Sequence, residues 1–270
     1  QFFTEPVFAL AWGVFVAGAL QFLFQLPFLA QLHLLPKPEL KPKDEGVKKI
    51  LLLMVPALFG VSVSQINLLL DTVLASFLPT GSVSWLYYSD RLVELPLGVF
   101  AIAVSTVILP SLSRKFATAD NLYFARTLDW AVRMILLISL PAAIALFILA
   151  KPILITLFHY GAMTERDVHM ASLSLQAYTL GLVPFMLIKV LAPGYFARQD
   201  TKTPVKIGII AMVANMVFNV MLVIPLHFYY QLGHAGLALA TVMSAVLNAG
   251  LLWRGLVKAQ VYAVQKGFYR

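Results

Sequence analysis

Seven long apolar stretches dominate this sequence and decide what it can fold into. They lie at about 6–32, 50–77, 84–112, 130–150, 168–197, 205–226 and 235–253. A membrane-spanning helix needs about 20 mostly apolar residues. Of the 270 residues, 60% are hydrophobic and 12% are charged, about half the charged fraction of a soluble domain. The sequence therefore predicts an all-α, polytopic membrane helix bundle with about seven transmembrane helices.

The basic residues predict how these helices are oriented. Sixteen of the twenty Lys and Arg residues fall in alternate connections, at 34–49, 113–133, 198–206 and 254–270. By the positive-inside rule these connections are cytoplasmic, and the N-terminal residues lie outside. The formal charge of +8 is therefore interpreted as a topology signal and not as a nucleic-acid surface. We expect further residues beyond both ends, because the chain enters its first span almost at once.

Several local features predict interruptions of the helices. Prolines within the spans predict kinks at Pro27, Pro56, Pro96, Pro141 and Pro184. Residues 152–161 are too few to cross the membrane and predict a half-helix at the outer face, followed by Thr164 as an N-cap. The connection 113–133 mixes aromatic and basic residues. It fits either a segment along the inner membrane surface or a cytoplasmic loop plus the first turns of the fourth span.

Three charges within five residues, Asp90, Arg91 and Glu94, interrupt the third apolar stretch. A charge at membrane depth costs at least ~2.5 kcal/mol, so such residues pair or face a water-filled cavity. Helical spacing can place all three on one flank. Arg91 would lie about 10 Å below the outer surface, where a guanidinium suits phosphate or carboxylate recognition. The alternative is a buried ion network that only locks helix packing.

A second polar group is spread over three spans. Asp71, Asn219 and Thr241 would each lie roughly 10 to 12 Å from the outer face, with Asn215 one turn deeper. Carboxylate, amide and hydroxyl oxygens form a hard-oxygen site of low charge, which suits Na⁺ better than Zn²⁺. The alternative is ordinary hydrogen bonding between membrane helices. The sequence has no cysteine and no nucleophile or phosphate-loop motif, so we expect no enzyme activity.

Two sequence segments carry a family resemblance. YYSDRLVELPLGVFAIAVSTVILPSLSR (residues 87–114) and APGYFARQDTKTPVKIGI (residues 192–209) resemble signatures of the MurJ (MviN) family of lipid II flippases, in its enterobacterial form. That family belongs to the multidrug, oligosaccharidyl-lipid and polysaccharide (MOP) exporter superfamily. The resemblance implies a fourteen-helix transporter with two six-helix lobes around a cavity and two further helices.

The resemblance also implies how the chain is divided. Residues 1–33 would be the sixth helix, which ends the N-terminal lobe, and 34–49 a cytoplasmic linker between lobes. Residues 50–258 would be the six-helix C-terminal lobe. Residues 259–270 would be a cytoplasmic segment that leads to the last two helices, which are missing, as are the first five.

The same resemblance implies a substrate and an ion. Arg91, with Asp90 and Glu94, would line the cavity and bind the diphosphate of lipid II, an undecaprenyl-linked cell-wall precursor, in the bacterial inner membrane. A possible sodium site would consist of Asp71, Asn215, Asn219, Thr241 and the Leu237 carbonyl. The departure is Asn219, an amide where the family pattern has a carboxylate. No cofactor other than Na⁺ is expected.

Three other functions are alternatives. A drug or polysaccharide-lipid exporter of the same superfamily would share the fold. A seven-helix receptor or retinal protein would share the number of spans, although residues 235–253 contain no lysine for a Schiff base. A structural scaffold of a cell-wall assembly complex would tolerate loss of all three charges around Arg91.

Overall fold

The structure is a computed structural model that describes residues 6–33, 45–118 and 120–259. Most of the predicted linker 34–49 and most of the predicted segment 259–270 lie outside these ranges. The described residues form ten α-helices and one π-helical segment. They are α1 (Pro6–Gln31), α2 (Glu45–Ser76), α3 (Ser82–Pro96), the π segment (Leu97–Ile102), α4 (Ala103–Ala117), α5 (Asn121–Ile148), α6 (Ala150–Phe158), α7 (Glu165–Thr179), α8 (Leu182–Phe196), α9 (Lys202–Tyr230) and α10 (Gly233–Lys258).

The prediction of an all-α membrane bundle is confirmed. Five helical stretches among the described residues are long and apolar enough to cross a membrane: Ala11–Gln31, Ser82–Ala117, Asn121–Ile148, Lys202–Tyr230 and Gly233–Lys258. The bent pair α7 and α8 forms a sixth if it is one span. Helix α2, with 32 residues, is roughly 48 Å long at 1.5 Å per residue and covers the predicted stretch 50–77. Each predicted stretch thus coincides with helix.

The chain divides into two compact units, Gln1–Leu51 and Leu52–Arg270. In the first unit, the described residues form α1 and the first turns of α2. The second unit contains the rest of α2 and the helices α3 to α10. The polar residues of interest all belong to this second unit.

The third span is one helical stretch of 36 residues whose hydrogen-bond register changes in the middle. Helix α3 ends at Pro96, and the π segment Leu97–Ile102 follows before α4 begins. Proline has no N–H to donate to the preceding turn, and single π turns within helices are common at functional sites. The irregularity predicted at Pro96 therefore takes the form of a π segment, one turn after the charged residues of α3.

The stretch predicted as a single helix over 168–197 consists of two helices. They are bent by 45° at a break between Thr179 and Leu182. Pro184, where a kink was predicted, is the third residue of α8. The break packs tightly, because a Cβ atom added to Gly181 would lie 2.6 Å from Cγ2 of Val242 in α10. A glycine is needed here for this close approach.

The half-helix and the N-cap that the sequence predicts are both present. Helix α6 has nine residues and ends at Phe158. Thr164 caps α7 in a capping box with Asp167. The Asp167 carboxylate also accepts a hydrogen bond of 2.9 Å from the indole of Trp85 in α3. The starts of α3 and α7 are therefore fixed to each other.

The connection between α4 and α5 is a short turn. Helix α4 continues to Ala117, and α5 begins at Asn121 with Asp120 as its cap. Of the two interpretations of residues 113–133, the structure thus matches a loop plus the first turns of the fourth span. The start predicted at residue 130 was too late, because the amphipathic first turns of α5 continue the helix beyond its apolar part.

The core of the second unit lies between α3, α5, α7, α8 and α10. Fully buried aliphatic side chains fill it, among them Leu128, Ile135, Leu175, Met186, Leu191 and Leu256. Polar contacts cross the same interfaces. Ser89 of α3 donates to the Ala171 carbonyl at 2.8 Å, and Tyr195 of α8 donates to the Leu252 carbonyl at 2.7 Å. Such bonds, with small buried residues, are how membrane helices associate.

Candidate functional site

The three charges of α3 do not form one closed network. Arg91 forms an ion pair with Glu94 at i,i+3, as helical spacing allows. Its guanidinium carbon also lies 4.9 Å from the centre of the Tyr87 ring, within the range of a cation–π contact. Asp90 lies one helical turn before Glu94 and is partly buried, and none of the hydrogen bonds among the described residues involves its side chain. The structure therefore pairs two of the three charges and leaves Asp90 nearby.

The Arg91 and Glu94 side chains are 52% and 51% exposed, although α3 belongs to a membrane span. An ion pair that only held helices together would be buried between them, whereas this ion pair is exposed. Exposure to lipid would cost several kcal/mol, so the exposed charges of a membrane helix face water. This geometry favours an aqueous cavity over the alternative of a buried ion network. The opposite face of α3, with Ser89 and Val93, is buried.

The structure brings the residues of the second polar group together. Asn219 donates to Asp71 at 2.7 Å and to the Asn215 oxygen at 2.9 Å. The Thr241 hydroxyl donates to the Leu237 carbonyl at 3.0 Å. Asn215 in turn lies 3.5 Å from the Thr241 hydroxyl. All five predicted groups, from α2, α9 and α10, therefore form one cluster, which we call the Asp71 cluster.

Asn67 is a sixth member of the Asp71 cluster that sequence reasoning missed. Its amide donates to the second carboxylate oxygen of Asp71 at 3.1 Å. It lies one helical turn before Asp71, the same i,i+4 spacing that brought Asn215 and Asn219 together, so the sequence did carry the signal. Both oxygens of the Asp71 carboxylate are thereby hydrogen bonded.

The Asn215 amide fits the Asp71 cluster in two orientations. Exchanging its nitrogen and oxygen lets it donate to Asp71 at 3.1 Å and to the Asn67 oxygen at 3.2 Å, and accept from the Thr241 backbone N–H at 3.3 Å. Asn215 and Asn219 are buried, with 0% and 1% exposure. In either orientation Asn215 holds α9 to its neighbours through polar contacts.

The oxygen atoms of the Asp71 cluster favour a hard, monovalent cation. The Asn219 side-chain oxygen is buried and has no hydrogen-bond partner among the described residues. Such an oxygen can become a ligand, as can the Asp71 carboxylate and the Leu237 carbonyl. The described residues contain no group of three or more His, Cys, Asp or Glu that could hold a metal. The donor set is therefore unlike that of a zinc or calcium site and fits Na⁺ by its neutral oxygens.

The sequence matches one family over almost its whole length. The family model for the lipid II flippase MurJ matches residues 1–269. A probable lipid II flippase MurJ of Haemophilus influenzae is 60% identical over 264 residues, which cover 96% of this chain and 50% of the relative. One of Vibrio cholerae is 58% identical over 258 residues, which cover 96% of this chain and 48% of the relative. The chain thus spans about half the length of these curated relatives.

Solved structures agree with the sequence comparison. A lipid II flippase MurJ in an inward closed conformation is similar with a TM-score of 0.69 and 29% identity, over 88% of this chain and 49% of the other. A multidrug and toxin extrusion (MATE) protein in its bent conformation has a TM-score of 0.63 at 17% identity, over 82% of this chain and 48% of the other, which shows a shared fold. The chain therefore belongs to the MurJ family, a family of multi-pass inner-membrane transporters and not of enzymes, within the MOP fold.

Proposed function

We propose that this chain is part of a transporter that flips lipid II from the cytoplasmic to the periplasmic leaflet by alternating access. The observation that carries the proposal is the exposed Arg91 side chain in a membrane span. Family membership supports the substrate, because the matching model describes a lipid II flippase. Flipping makes and breaks no covalent bond, so the protein has to bind, enclose and release a headgroup.

Arg91 would bind the diphosphate of lipid II. The guanidinium is always charged and presents paired donors that match phosphate oxygens. In the structure Arg91 is paired with Glu94. When a phosphate binds, Arg91 would exchange the Glu94 carboxylate for the phosphate, so the guanidinium would never be left unpaired. Asp90 and Glu94 together exceed the charge of Arg91 by one, which keeps the empty site from holding a diphosphate too tightly to release it. The three residues form one wall of the proposed substrate site.

The lipid tail and the rest of the molecule complete the proposal. The undecaprenyl tail can stay among membrane lipids while the headgroup crosses inside the cavity. We assign residues 1–33 to the end of the N-terminal lobe, 34–49 to the cytoplasmic linker, 50–258 to the C-terminal lobe and 259–270 to a cytoplasmic segment before the last helices. The N-terminal lobe would supply the opposite wall, and movement of the lobes against each other would switch the opening.

The Asp71 cluster is the proposed site of ion coupling, with Na⁺ as the candidate ion. The unpartnered oxygen of Asn219 and the single carboxylate of Asp71 support it. Asn219 also limits it, because its amide protons already bridge Asp71 and Asn215. A cation would have to displace at least one of these hydrogen bonds. We therefore expect weaker Na⁺ binding than two carboxylates would give.

Replacement of Arg91 tests the proposed function. In the intact protein reconstituted in vesicles, Arg91→Ala should lower the rate of lipid II translocation by about ten-fold or more, since a hydrogen bond to a charged group contributes ~1.5 to 3 kcal/mol. Arg91→Lys should recover only part of the rate, because an ammonium lacks the paired donors of a guanidinium. Lys189→Ala is the matched control, because Lys189 is an exposed cation of another span. Full translocation by both Arg91 variants would refute the proposal.

A further inference from the structure

Tyr87 is an exposed aromatic residue beside the proposed diphosphate site. It lies one helical turn before Arg91 in α3, and 55% of the residue is exposed. The Arg91 guanidinium carbon is 4.9 Å from the centre of its ring, so the ring and the cation share one exposed face of the helix. Tyrosine is enriched at binding interfaces because its ring is apolar and its hydroxyl is polar. Binding of a diphosphate by Arg91 leaves this surface unused.

Neighbouring aromatic residues hold the Tyr87 ring. The rings of Tyr87 and Tyr88 meet edge to face, with their centres 5.9 Å apart. Tyr88 is half-buried and packs on Phe158 of α6, with 4.7 Å between the ring centres. A side chain that is already held by its neighbours loses little conformational entropy when a ligand packs on it. Tyr87 is therefore a preorganised surface for a ligand.

The exposed face of the third span changes in character along its length. Tyr87 comes first, and the exposed ion pair of Arg91 and Glu94 follows one turn later. Leu95 and Val99 come next and are 64% and 57% exposed. The order along this face is therefore aromatic, charged and apolar. Lipid II has its groups in the same order, because its diphosphate joins a sugar to an apolar tail.

The spacing of Tyr87 and Arg91 suits a sugar that is bonded directly to a phosphate. Four residues of an α-helix rise about 6 Å, which is close to the length of one sugar residue. A pyranose ring presents several C–H groups on one side, and the electron-rich face of an aromatic ring attracts such weakly positive groups. A diphosphate alone offers no C–H group to this ring. The ring of Tyr87 therefore fits the sugar and the guanidinium of Arg91 fits the phosphate.

We propose that Tyr87 binds the sugar that follows the diphosphate of lipid II and so determines specificity for a lipid that carries a sugar. The proposal rests on the proposed function. Arg91 binds the charge that lipid II shares with undecaprenyl diphosphate. Tyr87 contributes only when a sugar is present, and specificity is this difference between the two affinities.

Replacing the ring and removing the sugar together test this contact. The Kd values of lipid II and of undecaprenyl diphosphate are measured for the intact protein and for Tyr87→Leu. The variant should raise the Kd of lipid II by about two- to ten-fold more than that of undecaprenyl diphosphate, as loss of one aromatic contact would. Loss of the contact between Tyr87 and Arg91 affects both lipids alike, so it cancels in this comparison. Equal factors for the two lipids would overturn the proposal.

Two further variants make the test specific. Tyr87→Phe keeps the ring and should retain most of the discrimination between the two lipids; a loss as large as that of Tyr87→Leu would contradict binding through the ring. Tyr123→Leu is the matched control, because Tyr123 is 51% exposed and has a cation–π contact of 4.5 Å with Lys115. It should leave the ratio of the two Kd values unchanged. If it lowers discrimination as much as Tyr87→Leu does, the sugar is not bound at Tyr87.

Arg91→Ala separates failure of this proposal from failure of the proposed function. If Arg91→Ala leaves the Kd values of both lipids unchanged, the proposed function fails. If it weakens binding of both lipids while Tyr87→Leu changes the two Kd values by the same factor, only the sugar contact fails.

Discussion

At the residue scale, the Asp71 cluster shows how a membrane protein accommodates a carboxylate without a full countercharge. Each oxygen of Asp71 accepts a hydrogen bond from an asparagine, one in its own helix and one in α9. Such charge-assisted bonds are stronger than neutral ones. The carboxylate can therefore exist within the bundle and still respond to a cation or a proton. A site of this kind is suited to switching more than to permanent ion storage.

Sodium binding is the prediction that belongs to this scale. The intact protein should melt at a higher temperature in sodium chloride than in choline chloride of equal ionic strength, because a ligand that binds only the folded state stabilises it. Asp71→Asn should abolish the difference, since the only carboxylate of the cluster is lost. Asn248→Ala is the matched control, because Asn248 is a partly buried amide of α10 outside the cluster. This variant should keep the difference in melting temperature. Equal melting of the unmodified protein in both salts would end the sodium hypothesis.

The residues of both sites could be predicted from the sequence wherever one helix determines the neighbours. The Arg91 and Glu94 pair follows from i,i+3 spacing. Asp71 and Thr241 lie in different helices, and they could be predicted to be neighbours because their predicted distances from the outer face are similar. Asn67 was missed, although its i,i+4 spacing from Asp71 follows the same rule.

At the element scale, the broken helix α7–α8 is the feature that most affects the two sites. Hydropathy alone predicts one continuous span at 168–197, since both halves are apolar. The break arises from Gly181, which allows close packing on Val242, and from Pro184 in the first turn of α8. Neither effect changes the mean hydropathy of the stretch. The position of Pro184 predicted an irregularity in this stretch. The angle of the bend between the two helices could not be predicted, because it depends on how α10 packs against the break.

Replacing Gly181 tests the close packing of this break. Gly181→Ala would place a methyl group 2.6 Å from Val242 and 2.7 Å from the Phe185 ring. Overpacking of this kind costs typically ~1 to 3 kcal/mol. Gly250→Ala is the matched control, because a Cβ atom there would meet nothing within 4 Å, and alanine favours the helix by about 0.5 to 1 kcal/mol. Chemical unfolding in detergent should therefore show a loss for Gly181→Ala and none for Gly250→Ala. Equal stability of the two variants would contradict this account of the break.

At the scale of the whole molecule, the distribution of charge predicts the orientation in the membrane. The basic connections alternate with poorly charged ones, and the structure places the corresponding turns at helix ends, as at Thr118 between α4 and α5 and at Ala162 before α7. The helical character and the order of the apolar stretches followed from hydropathy, because each span has to satisfy its backbone groups within itself. How the cavity is closed did not follow, because the opposite wall of the proposed site is not among the described residues.

Labelling of single cysteines tests the orientation. The chain contains no cysteine, so each introduced thiol is unique within it. In intact cells, a membrane-impermeant maleimide that crosses the outer membrane should label Ala162→Cys, in a turn predicted to be periplasmic. Thr118→Cys, in a turn predicted to be cytoplasmic, should react only after the inner membrane is permeabilised. The reverse pattern would invert the proposed direction of transport.

The central claim is that the charged face of α3 lines a water-filled site for the lipid II headgroup. The most direct measurement uses Glu94→Cys in the intact protein freed of other cysteines. A water-soluble thiol reagent should modify it rapidly, and lipid II should slow that reaction several-fold, while Leu137→Cys, 71% exposed on the apolar surface of α5, should stay unmodified. If Glu94→Cys is as unreactive as Leu137→Cys, or reacts equally fast with and without lipid II, the site is not where this structure places it.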